Sequence, residues 1–378
     1  MSSTSTQSLL DKIEPHVLVT AVINLDNLAK NYTRIVAELT AGVQLIAVIK
    51  ANSYGFGAIQ VSKRLWYEGC RAFFVATLEE GIEIRKNLPD GAKIFVFNGV
   101  FRHSEDLLLK HRIIPVLNNA CQSDLWIQQA KKLGKKLDAV IQIDTGIFRN
   151  GYSYRNVGSN FDEVRDSLNL VFIMSHLACA DIPDHPLNRL QLERFKEILM
   201  YFGNVKGCLS ATNGIFLGKE YFFDVVRPGK SLYGFSVRED RIGSMNPVMD
   251  LFSRIVQVNH LQSGDTVGYG ATYTADRNMT IITVGMGYAD GFMRKFSGFG
   301  HGFLGGKRMP VIGRISMDYM ALDASEVQES YLEIGNWVAL TNDTDYTLER
   351  WALELDTLPH EIACRFGPRV RKTYIGEV

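Results

Sequence analysis

The chain has 378 residues, 46% of them apolar and 22% charged, which suits a soluble protein with room for two well-buried domains. Lys plus Arg and Asp plus Glu number 41 each, so no charge excess points to nucleic acid or an anionic surface. Five scattered cysteines without a CxxC pair exclude a disulfide framework and a thiolate metal site, and reduced thiols in a cytoplasmic protein are expected.

The N-terminus, MSSTSTQSLLDKIEPH, lacks the basic start and apolar core of a signal peptide and reads as a mobile polar tail. No apolar run is long enough to span a bilayer. Residues 17–25 (VLVTAVINL) read as a strand, and residues 26–39 have helical spacing through Leu28, Tyr32, Ile35 and Val36. A rhythm of short apolar runs follows: LIAVIK, AFFVAT, KIFVFNG, RIIPVL, DAVIQID, LVFIMSH, CLSAT and DVVRPG. Amphipathic spacers such as LEEGIEIRKNL and SDLWIQQAKKLG separate them. Near-continuous apolar strands alternating with helices predict a parallel sheet buried on both faces. Eight such runs predict an α/β fold, a (β/α)8 TIM-type barrel over residues 24–242, and no GxGxxG supports an open dinucleotide-binding sheet instead. Beyond about residue 246 strand-like runs are linked by turn clusters such as QSGD and NDTDY. They predict a mostly antiparallel β domain over 243–378, joined by an N-terminal strand at 15–23.

Catalytic groups of a barrel collect at the C-terminal ends of its strands. Those ends carry Lys50, Asp144, Arg149, His176, Thr212 and Arg227. Each alone reads as a capping or salt-bridging group; together they are too polar for a purely structural mouth. Lys50 closes an apolar strand and opens the loop ANSYGFG. Nearby arginines and desolvation both disfavour its ammonium form, and a neutral amine condenses with aldehydes, which points to chemistry of the pyridoxal phosphate type. Thr212, the phenol of Tyr54 and the backbone N–H groups after Arg227-Pro228-Gly229 offer a phosphate cradle. His176, Asp181, Asp184 and His185 in SHLACADIPDHP fit no zinc or calcium spacing, so no metal is expected. SGFGHGFLGGK departs from a phosphate loop and predicts a hairpin turning at Gly305-Gly306.

AVIKANSYGFG, DTGIFRNG, SHLACAD, VVRPGKSLYG, VGYGATYTA, GYADGF and GRISMDYM stand in an order that resembles the alanine racemase family over nearly the whole chain after the tail. The resemblance implies a pyridoxal 5'-phosphate enzyme built from a barrel and a β domain. It implies that Lys50 carries the cofactor, that Tyr54, Thr212, Gly229 and Lys230 contact its phosphate, and that Arg227 faces its pyridine nitrogen. His176 lies beside the cofactor, and Arg149 lies near its phenolic oxygen and the substrate carboxylate. Tyr269 is implied as a second catalytic base opposite Lys50, with Met317 at the substrate and Tyr288 and Asp318 at the entrance. A head-to-tail homodimer, with Tyr269 and Met317 supplied across the interface, completes the implied picture. Four residues depart from the family pattern. Gln142 replaces a carbon-dioxide-modified lysine that orients the arginine, Thr212 a serine, His360 a phosphate-binding tyrosine (so that an imidazole would take that contact), and Phe56 a histidine. A racemase for serine or lysine, or a pyridoxal-phosphate decarboxylase on the same two-domain plan, are the alternatives.

Overall fold

Strands that are apolar on both faces cannot tolerate an edge in water, and in the computed structural model they form a closed ring. The structure describes residues 3–158, 161–236, 242–342 and 344–377. They divide into two units, Leu28–Asn246 and a second made of Met1–Asn27 with Pro247–Glu377.

In the first unit Ala47–Val48 pairs in parallel with Ala72–Val75. Lys93–Val96, Ile113–Leu117, Leu137–Asp144, Leu168–Met174 and Gly207–Cys208 follow in order. Val225–Val226 pairs with Gln44–Leu45, and the N–H groups of Ile46 and Val48 donate to the carbonyls of Val226 and Pro228 at 2.9 Å each. A parallel bridge from Ala211 to Arg227 joins the last two strands and closes the TIM-type ring. Alternate residues fill its interior, among them Ile46, Val48, Phe74, Phe95, Val140, Phe172 and Cys208. Phe95 sits 5.1 Å from Phe74 and 5.3 Å from Phe172, ring centre to ring centre. Each such side chain contributes roughly 1.5–3 kcal/mol by its burial.

The outer helices start where their sequences allow. Thr77 and Glu80 form a capping box on Leu78–Asn87. Asn119 caps Ala120–Leu133, which ends on left-handed Gly134. His185 accepts from Leu187 N–H to cap Pro186–Phe202, so this histidine is occupied in helix initiation.

In the second unit Met249–Leu261 pairs antiparallel with Met279–Val284 on one side and with Trp337–Ala339 on the other. A bulge between Ile255 and Gln257 bends this long strand. The order Met279–Val284, Met320–Asp323, Lys307–Ile312, His301–Leu304, Trp337–Ala339, Met249–Leu261 therefore returns on itself as a small barrel. Gly305 and Gly306, with φ of 56° and 76°, make the predicted hairpin turn. Val19–Asn24 lies between Met249–Leu261 and Arg371–Ile375. The tail expected to be mobile is instead a helix, Ser3–Leu10, followed by buried Ile13 and Val17. Leu10, Ile13, Val17 and Val22 form one apolar cluster, and Arg254 secures it by donating to the carbonyls of Ile13 and Val17. Among the described residues no helix is long and apolar enough to cross a membrane.

Candidate active site

The first barrel strand runs through Ile49 into Lys50, and the chain then does something unusual. Ala51, Asn52, Ser53 and Tyr54 have φ of 53°, 51°, 53° and 56°, one left-handed helical turn without a glycine. Such residues cost roughly 1–2 kcal/mol each, so the turn must be held from outside. Glu80 holds it. One carboxylate oxygen accepts from Ala51 N–H at 2.6 Å and the other from Ala76 N–H at 2.7 Å, tying the ends of two neighbouring strands. Asn52 Oδ1 accepts from Ala58 N–H at 2.7 Å, and the Tyr233 hydroxyl donates to the carbonyl of Val48 at 2.8 Å. Lys50 Nζ stands 5.8 Å from the centre of the Phe97 ring. Phe56 is fully buried and stacks on Tyr233 at 5.0 Å, so this aromatic is a packing residue.

Arg227 lies deep in the barrel mouth, 3% exposed. Its Nη2 donates to the carbonyl of Ser175 and its Nη1 pairs with His176 Nδ1 at 3.2 Å. Burial lowers the Arg227 pKa from an ordinary value high enough to leave it charged. Burial, then the charges of Arg227, Arg149 and Lys50, hold His176 well below the usual histidine range. His176 is therefore neutral at physiological pH, and its Nδ1 accepts from the guanidinium. Arg227 Nε is buried and has no hydrogen-bond acceptor among the described residues. Leaving such a donor unsatisfied costs about 1–3 kcal/mol, and a ring nitrogen with a lone pair would satisfy it.

Arg149 sits on the loop after Leu137–Asp144. Asp144 accepts from the N–H groups of Gly146, Ile147 and Arg149 at 2.8, 2.9 and 2.9 Å, which fixes the backbone of that loop. Gln142 Nε2 donates to the carbonyl of Asn150 at 3.1 Å, gripping the far end of the loop. Arg149 itself is exposed, and its guanidinium makes no hydrogen bond or ion pair among the described residues.

At the ends of the last two barrel strands Thr212 Oγ1 accepts from Gly229 N–H at 2.9 Å and lies 3.4 Å from Ser231 Oγ. A Cβ on Gly229 would fall 2.5 Å from the Tyr54 hydroxyl, so only glycine lets this backbone approach the phenol. Lys230 opens the short 3-10 helix Lys230–Tyr233. Hydroxyls, a close-packed glycine and a helix start make a cradle of phosphate size and polarity. The barrel unit thus brings Lys50, Tyr54, Arg149, His176, Thr212, Arg227, Gly229 and Lys230 to one rim.

Tyr269, Tyr288, Met317, Asp318 and His360 belong to the second unit. Tyr269 is 73% exposed on a 3-10 turn whose Gly268 and Gly270 pack against Arg314. Tyr288 N–H donates to the carbonyl of Ser316 and Ala289 N–H to that of Met317. A Cβ on Gly287 would lie 2.3 Å from the Met317 carbonyl, so these two loops are in backbone contact. Arg369 ties them further, at 2.9 Å from buried Asp290 and 2.8 Å from Asp318. His360 lies in the short helix Pro359–Ala363. Sequence reasoning missed Glu80, Arg369 and Gln191, the last described below. Glu80 had a signal, the T-x-x-E of a capping box at Thr77.

A barrel rim with a lysine, a neutral histidine bonded to a buried arginine and a phosphate cradle, together with a separate antiparallel barrel, defines the two-domain class of lysine-anchored pyridoxal phosphate enzymes. The alanine racemase N-terminal domain family matches residues 23–237 and the C-terminal domain family residues 248–374. The alanine racemase of Rhodospirillum rubrum is 38% identical over 94% of this chain and 95% of its own length. That of Rickettsia canadensis is 37% identical over 94% and 99%. A crystal structure of alanine racemase from Bartonella henselae with covalently bound pyridoxal phosphate superimposes with a TM-score of 0.88. It is 32% identical and covers 95% of this chain and 99% of that one. The chain belongs to the alanine racemase family.

Proposed function

We infer that this protein is a pyridoxal-phosphate-dependent racemase that interconverts L- and D-alanine. The observation that carries the reading is the buried Arg227 whose Nε has no acceptor among the described residues, beside His176 at the rim that holds Lys50. Bound there, the cofactor supplies an electron-withdrawing conjugated ring that acidifies the α-proton of an attached amino acid. Lys50 anchors it through Nζ, Tyr54, Thr212, Gly229 and Lys230 receive its phosphate, and Arg227 Nε donates to its ring nitrogen. His360 is assigned the phosphate contact that a tyrosine makes in the family. Because a guanidinium donates a hydrogen bond but is too weak an acid to release its proton, Arg227 would leave that ring nitrogen unprotonated, which disfavours transamination. Arg149, exposed and without an anionic partner among the described residues, receives the substrate carboxylate with Met317.

Inverting a stereocentre needs a proton removed on one face and delivered on the other. Lys50 serves one face and Tyr269 the second, and Tyr288 and Asp318 line the approach. The 73% exposure of Tyr269 and 53% of Met317 support a head-to-tail homodimer in which each site receives the partner subunit's Tyr269 and Met317. The five scattered cysteines, without a disulfide spacing, support a cytoplasmic location. The test is to incubate the loaded protein with L-alanine in heavy water and resolve the enantiomers. D-alanine bearing α-deuterium is expected; release of carbon dioxide, or cofactor bound with no α-exchange, overturns the reading.

A further inference from the structure

Gln191 lies on the helix Pro186–Phe202 and is fully buried. Its amide is saturated. Nε2 donates to Thr145 Oγ1 at 3.0 Å and to the carbonyl of His176 at 2.9 Å, and Oε1 accepts from Ala178 N–H at 2.8 Å. Thr145 directly follows Asp144, whose carboxylate fixes the backbone of Gly146, Ile147 and Arg149. Thr145 also meets Ser175 Oγ at 2.8 Å, and its carbonyl accepts from Arg194 at 2.8 Å. His176 in turn carries Arg227 on its Nδ1. One amide on one helix is thus the shared anchor of the strand end that leads to Arg149 and the strand end that carries His176 and Arg227.

We propose that Gln191 is a positioning residue that sets Arg149 and the His176–Arg227 pair at a fixed separation, acting through Thr145 on one side and the His176 carbonyl on the other. A purely apolar residue of this size would fill the same space, so packing alone does not require an amide. Gln142 reaches the backbone of this loop at Asn150 and Gln191 the hydroxyl of Thr145, so the loop is braced from both sides. The assignment rests on the racemase reading for what Arg149 and His176 do, but the brace itself is measurable without turnover.

The test uses the full-length loaded protein with 15N-labelled histidine, the His176 signal being assigned by its loss in His176→Gln. In the native protein the ring stays neutral as pH falls through the ordinary histidine range. In Gln191→Leu the ring loses its carbonyl anchor, moves away from Arg227 and titrates at higher pH, while the KM for alanine rises about tenfold. Thr145→Val cuts the Gln191 bond on the Arg149 side together with the hydroxyl contact to Ser175, and leaves the Gln191 bond to the His176 carbonyl in place; the KM rises and the His176 titration stays native. That split separates positioning from general stability. A native His176 titration and native KM in a folded Gln191→Leu protein would overturn the proposal. If Gln191→Leu does not fold, Thr145→Val decides: both quantities native, or both shifted together, contradict it. Lack of alanine turnover by the native protein would overturn the racemase reading and leave the His176 comparison intact.

Discussion

At the scale of single residues, the mouth of the barrel works by keeping unlike charge states side by side. Arg227 stays charged because no ordinary environment deprotonates a guanidinium, and His176 is neutral because it is enclosed with that charge. The linkage has a defined sign. A histidine with a lowered folded pKa binds its proton in the unfolded chain first, so its contribution is present above about pH 6.5 and declines as pH falls below it. Denaturant unfolding between pH 7 and 5 should therefore show stability falling with acidity, and His176→Gln should flatten that slope. Lys50 makes a second prediction. Lys50→Ala should abolish borohydride-trapped attachment of the cofactor, read as a missing mass increment, and lower racemisation by about a thousandfold or more. Lys50, His176 and Arg227 were legible because polar residues closing apolar strands stand out against the pattern. The bond between Arg227 and His176 was not, since 51 positions separate them and only the closed ring brings them together.

At the scale of elements, the left-handed turn after Lys50 is the feature the sequence concealed. Ala51, Asn52, Ser53 and Tyr54 are not residues that announce positive φ, apart from Asn52. Tertiary bonds from Glu80 and Tyr233 override local preference there. Ala51→Gly should relieve part of the backbone strain, offset by the greater freedom of glycine in the unfolded chain. The net expectation is a gain of about 0.5–1 kcal/mol in denaturant unfolding. Glu80→Ala should do the reverse, leaving Ala51 and Ala76 N–H groups without an acceptor at a cost of about 1–3 kcal/mol, with slower cofactor attachment at Lys50. Gln191 illustrates the same limit. Asn188, Gln191 and Arg194 recur on one face of a helix that also buries Leu192 and Phe195, a polar stripe on a buried face that could have been flagged from spacing alone.

At the scale of the whole molecule, the alternation of apolar strands and amphipathic helices carried the barrel, because a parallel sheet must bury both faces and so writes itself as continuous apolar runs. The return of the second unit on itself was hidden, since it depends on one long strand, Met249–Leu261, bending at a bulge to pair on both sides. If each site takes Tyr269 from a partner copy, two inactive variants should rescue each other. Mixing Lys50→Ala with Tyr269→Phe after reversible dissociation should restore roughly a quarter of native activity, from mixed dimers with one intact site each. No recovery would place Lys50 and Tyr269 of one copy in the same site. Two opposed bases are tested by following Tyr269→Phe with pure L- and pure D-alanine in heavy water. One enantiomer should exchange its α-proton with retention through Lys50, the other should not exchange, and neither should invert. Inversion at the native rate, or equal exchange of both enantiomers with cofactor bound, would contradict the account.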